Sequence, residues 1–200
     1  MSLSRLWRNR RGVAAVEFAI VAPVLVSMYM IGVDVVMLMR NRFRVDQSAA
    51  QVMQIVSQYT DLYDSDFTGV FFPIAQTIAG NNAALATPAA CTVVVSGLDI
   101  ADRTALIPKF VVKWQRSTGT CATSKVGLPS ASPTLQGGYT PPIGLPLIVV
   151  EVVSQRTLFG PSAALLGTTQ QQYSVAVAMP QTRSLPSLTA SAGAPPSVRP

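Results

Sequence analysis

The chain has 200 residues, with 15 Lys and Arg against 9 Asp and Glu, a net charge of +6 and no histidine. The lack of imidazole removes the commonest general base, the Ser-His and Cys-His nucleophile pairs and most zinc sites, so the chain reads as no enzyme and as needing no cofactor or metal. Seven Arg and two acids fall in residues 1–44 while the remainder is close to neutral, which leaves no basic stripe for nucleic acid; with no catalytic pair in view, no small-molecule substrate is expected.

The first element is a basic leader, residues 1–12, with Arg5, Arg8, Arg10 and Arg11 ahead of Gly12. From Val13 to Met39 the only charges are Glu17 and Asp34. Those 27 residues, as a helix, reach roughly 40 Å, more than the hydrocarbon thickness of about 30 Å. The spacing therefore predicts a transmembrane helix over 13–39. Arg40, Arg42 and Arg44 follow it, and four leader arginines against three favour a cytoplasmic N-terminus. A cleavable secretory signal would show a small-x-small site after the apolar run, but Met28 to Val35 contains none.

Glu17 stands near the start of this run; a carboxylate in an apolar span costs up to about 2.5–3.5 kcal/mol to insert, the figure for the helix centre, and by default marks a function. One reading is a carboxylate that receives a terminal ammonium after cleavage; the plain alternative is a side chain snorkelling among the leader arginines. Pro23 removes one helical hydrogen bond and predicts a kink or loosening, either as a device or as a tolerated membrane proline. Asp34 reads as an interfacial anchor near the far end of the span.

Gly12, four small or apolar residues and then Glu17-Phe18 resemble the prepilin-peptidase motif of type IV pilin-like proteins. The Glu-Phe ending is similar to the TadE/TadF-like pseudopilins of the Tad (Flp) pilus system. The resemblance covers residues 8–58 and returns over Leu147–Arg183, which looks like the family's last two strands. It implies cleavage after Gly12 on the cytoplasmic face, Val13 as the new and N-methylated terminus, and Glu17 as the retained acid. The implied partners are inner-membrane lipid, prepilin peptidase, other pilins or pseudopilins and the Tad assembly platform. The implied location is the inner membrane, single-pass, with the C-terminal domain periplasmic. The competing class is an unprocessed single-pass membrane protein with a periplasmic binding or sensing domain.

Past Met39 the pattern becomes amphipathic. Val45, Ala49, Val52, Met53 and Val56 follow helical spacing, with Asp46, Gln47, Gln51, Gln54 and Gln58 between them. A continuation over 40–60 is predicted to bury its stripe against a sheet. Asp64-x-Asp66-x-Thr68-Gly69 imitates the front of a calcium loop, but the twelfth position is Ala75 where the loop needs a Glu. Asp caps for a short helix over 70–79 account for it better.

Cys91–Val95 and Phe110–Trp114 read as adjacent strands, Gly127–Pro146 as a long loop, and Leu147–Val153 and Tyr173–Met179 as later strands. A brief helix is expected near Leu158–Leu166. Cys91 and Cys121 form one disulfide if the domain is exported to an oxidising compartment, or two thiols otherwise. From Leu185 onward Pro, Ser, Ala and Gly dominate, and a disordered tail over 185–200 is expected. The predicted fold is α+β: a long N-terminal helix laid on a small, mostly antiparallel sheet within an exported domain over 61–184.

Overall fold

A computed structural model describes residues 11–79, 90–101, 109–119, 122–133, 145–158 and 160–189. The chain divides into two compact units, one of Met1–Met39 with Thr157–Gln170, the other of Arg40–Arg156 with Gln171–Pro200. Residues 157–170, expected inside the exported domain, thus group with the N-terminal segment.

Helix α1 (Arg11–Val56) is continuous for 46 residues and passes through Pro23 without ending. It is long and apolar enough to cross a membrane. The missing N–H at Pro23 removes one rung of the helical ladder. One turn on, the Ser27 hydroxyl donates to the Pro23 carbonyl at 2.8 Å.

The strands are β1 (Asp61–Tyr63), β2 (Ala90–Ile100), β3 (Phe110–Gly119), β4 (Leu147–Thr157), β5 (Thr169–Ala178) and β6 (Ser187–Thr189). Four of them form a sheet in the order β3-β2-β4-β5, in which β2 runs antiparallel to both β3 and β4. Between β1 and β2 come α2 (Asp64–Asp66), a π-helical turn (Phe67–Phe71) and α3 (Phe72–Ala79). The Asp66 carboxylate accepts the Tyr63 N–H at 3.0 Å, reaching back from the third residue of α2 to the residue before it; helical structure thus begins at Asp64, ahead of the helix expected over 70–79.

Strand alternation sorts the side chains into two cores on opposite faces. On one face Val93, Val95, Ile148, Val150, Val152 and Trp114 meet Val45, Ala49, Val52, Met53 and Val56 of α1 together with Phe67, Phe71 and Phe72. Each fully buried Val or Phe of this set contributes about 1.5–3 kcal/mol of transfer free energy. The five α1 residues are those of the predicted stripe, and the intervening Asp46, Gln47, Gln51, Gln54 and Gln58 are exposed. Polar stitches fix the helix in place. Ser48 donates to the Ala75 carbonyl at 2.9 Å, and Asn41 donates to Ser154 Oγ at 3.1 Å and Gln172 Oε1 at 2.6 Å. On the other face Leu98, Val112, Val126, Leu147 and Val149 pack together.

Val112 and Trp114 are two residues apart yet belong to different cores. The register explains this: Gly97 opposes Trp114 and Leu98 opposes Val112, so Lys113 is an extra residue that reverses the alternation. Gly97 is also a close-approach position, because a Cβ there would fall 2.3 Å from Cε2 of Trp114.

The expectation of disorder from Leu185 is corrected over its first residues. β6 pairs parallel with β1, Ser187 opposite Asp61, and Leu185 and Leu188 pack on the main core. Trp114 Nε1 donates to the Pro186 carbonyl at 3.1 Å. Two leucines spaced for burial and an indole donor outweigh the Pro/Ser composition. The tail beyond Thr189, the leader up to Arg10, Cys121 and the side chain of Cys91 lie outside the described residues, and with them the expected disulfide.

Candidate functional site

The processing candidates occupy the first turns of α1. Gly12 and Val13 lie on helical backbone, although the side chain of Val13 falls outside the described set. Glu17 is exposed, and Phe18 beside it is 70% exposed. Val13 and Glu17 stand in an i,i+4 relation and so share one helix face, a turn apart. An amine created at residue 13 would therefore arise within one helical turn of a carboxylate on its own chain.

Around and beyond Glu17 the helix presents apolar side chains on every side. Val16, Ile20, Val24, Leu25, Val26 and Met28 are each more than half exposed. A helix that is apolar all round needs an apolar surrounding, either bilayer or other helices. Along α1 the rise between Glu17 and Asp34 is about 26 Å, close to one hydrocarbon thickness.

Asp34 is buried, not exposed as a plain interfacial anchor would be. It is covered within its own unit by α4 (Gly160–Leu166), whose Ser162 hydroxyl donates to the Asp34 carboxylate. The short helix is well punctuated: Gly160 has φ +58° ahead of Pro161, and Gly167 has φ +87° just after the last turn. Leu158 N–H donates to the Thr168 carbonyl at 2.9 Å and closes the loop that carries α4.

A second polar cluster, missed in the sequence, lies on the face of the sheet away from α1. Glu151 is buried in the middle of β4 and accepts hydrogen bonds from Ser124 Oγ, from Lys125 N–H at 2.9 Å and from Tyr173 Oη at 2.6 Å. Burial, then the Glu151 hydrogen bond and charge, push the Tyr173 hydroxyl well above its ordinary value of 10.0. Lys125 Nζ stands 4.1 Å from the Tyr173 ring centroid. The cluster pins the 122–133 loop over the smaller core. An acid set inside Leu-Ile-Val-Val-Glu-Val-Val was the available signal, because a charge in a β-branched run must find partners.

No group of three or more His, Cys, Asp or Glu placed to hold a metal occurs among the described residues. No curated protein and no solved structure matches the chain. Residues 12–53 match the model of the family described as TadE-like protein, so the stretch from Gly12 to Met53 is TadE-like, in agreement with the family that the Gly12–Phe18 motif resembles.

Proposed function

We propose that this protein is a minor pseudopilin or assembly component of a Tad-type pilus, anchored in the inner membrane by α1 and processed by prepilin peptidase. The TadE-like segment supports a component associated with the Tad pilus system. The finer reading rests on one observation: an exposed carboxylate, Glu17, one helical turn from Val13 at the start of a helix apolar on all sides. Cleavage after Gly12 would create an ammonium that an apolar medium forces to find an anion. Glu17 of the same or a neighbouring helix supplies it, which makes subunit addition selective for processed chains. The protein's work in this reading is structural: it enters the membrane, loses its leader and joins other pilins or pseudopilins at the assembly platform.

Intact mass and N-terminal sequencing of membrane-extracted protein, expressed with and without a prepilin peptidase, test this. The expected result is loss of residues 1–12 and a Val13 terminus, both dependent on the enzyme and on Gly12. An unchanged mass in the presence of active peptidase overturns the processing reading and leaves an unprocessed single-pass protein.

A further inference from the structure

The apolar surface of the N-terminal unit does not end with α1. Leu165 and Leu166 on α4 are 73% and 54% exposed, side by side on a short helix held against α1 at Asp34. The stretch around them, residues 157–182, contains no charged residue at all. On α1 itself, the exposed apolar run continues past Asp34 through Val35, Val36, Met37 and Met39. The point at which α4 is clasped to α1 is thus bordered on both sides by exposed apolar helix.

We propose that α4 is a second membrane-contacting element, with Leu165 and Leu166 seated in the headgroup–acyl boundary of the leaflet that holds the Asp34 end of α1. The occupant of this surface is phospholipid. Continuity favours lipid: α4 extends the exposed apolar surface of the one described helix long and apolar enough to cross a membrane. Position agrees, since Glu17 and Asp34 are about 26 Å apart along the helix, and a carboxylate at the edge of the hydrocarbon needs a donor. Ser162 provides one, and in doing so it fixes α4 at that depth. Exposed leucines held at that depth bind by burying their side chains in the boundary region. The Gly160 and Gly167 turns and the closing Leu158–Thr168 hydrogen bond hold the loop in shape without lipid. This proposal rests on the membrane-spanning reading of α1.

The test uses the full chain in vesicles of phosphatidylethanolamine and phosphatidylglycerol. A photoreactive p-benzoylphenylalanine replaces Leu165, or Leu166 in a second variant. Met28 on α1 serves as the site for the span, and Ser117 on β3 as the exposed polar control. The expected result is phospholipid adducts at Met28 and at Leu165 and Leu166, the latter about tenfold above Ser117. Adducts at Met28 but not at the two leucines overturn the α4 proposal and leave the span intact. The absence of adducts at Met28 removes the span and the proposal together. Crosslinking of the leucines to a second copy of the chain instead of lipid also overturns it.

Discussion

The two halves of α1 have the same backbone and opposite fates. From Val16 to Met39 the large apolar side chains are mostly exposed, whereas Val45, Ala49, Val52, Met53 and Val56 are almost wholly buried. Both halves contain Val and Met, so the apolar residue types alone do not separate them. Arrangement does: the first half is apolar on every face, and the second alternates an apolar stripe with Asp and Gln at helical spacing. A stripe can be satisfied by one sheet, whereas an all-round apolar surface cannot. The same helix therefore carries one segment adapted to a protein core and another that needs an apolar medium outside the chain.

The comparison breaks most sharply at Val52, which is fully buried in the main core. Val52→Asp places an unpaired charge there and is expected to cost more than about 4 kcal/mol of domain stability. Val24→Ala, on the exposed half, is expected to change the same quantity by less than about 0.5 kcal/mol. Denaturant unfolding of the full chain in detergent micelles, followed by near-ultraviolet dichroism, measures both. Equal losses from the two variants would mean that the halves do not differ in what they pack against.

Next in size is Gly97, opposite Trp114 where the alternation of β3 reverses. A Cβ at 97 would overlap the indole ring, and the ring cannot retreat freely because its Nε1 is tied to the Pro186 carbonyl. Gly97→Ala is expected to cost about 1–3 kcal/mol, the range for overpacking a filled core. The paired variant Gly97→Ala with Trp114→Phe should recover part of that loss, because a smaller ring without the tether can shift. A single variant as stable as the parent would show that the Trp114 anchor yields.

Much of this was legible beforehand where periodicity was strong. The stripe from Val45 to Val56 and the strands around Val93, Val112, Val150 and Val175 all follow from local pattern. The contacts that carry information across the chain were not. Ser162 meets Asp34 across 128 residues, and Trp114 meets Pro186 across 72; neither spacing leaves a local trace. The tail shows the same limit from the other side: composition argued for disorder at Leu185, but the outcome was decided by pairing with β1 and by contact with the main core, both of which exist only in the folded chain. Glu151 was the exception, a visible anomaly whose partners alone were hidden. For Glu17 the proposed role rests almost wholly on sequence, on its distance from Gly12 along one helix.

The two smaller predictions concern polar contacts of the larger unit, on either side of the sheet. Tyr173 has its folded-state pKa raised, first by desolvation and then by Glu151. A raised pKa contributes stability that is present in full below the unfolded value of 10.0 and is lost as pH rises from there toward the displaced folded value. The melting temperature of the parent should therefore fall more steeply between about pH 9 and pH 11 than that of Tyr173→Phe, which has no phenol to ionise. Parallel curves would show that the Tyr173–Glu151 contact is open in solution.

The smallest effect is expected at Arg42 and Asp46, an i,i+4 pair at 4.0 Å on the exposed side of α1, with side chains 68% and 48% accessible. Such pairs are worth at most about 0.3–0.5 kcal/mol and are screened by salt. Arg42→Ala should shift the unfolding midpoint barely at low ionic strength and not at all in high salt. A loss that persists in high salt would mean that the arginine stem, and not its charge, is packed against something. The outward face of the second half of α1 would then be partly apolar in practice, and the contrast between the two halves would narrow.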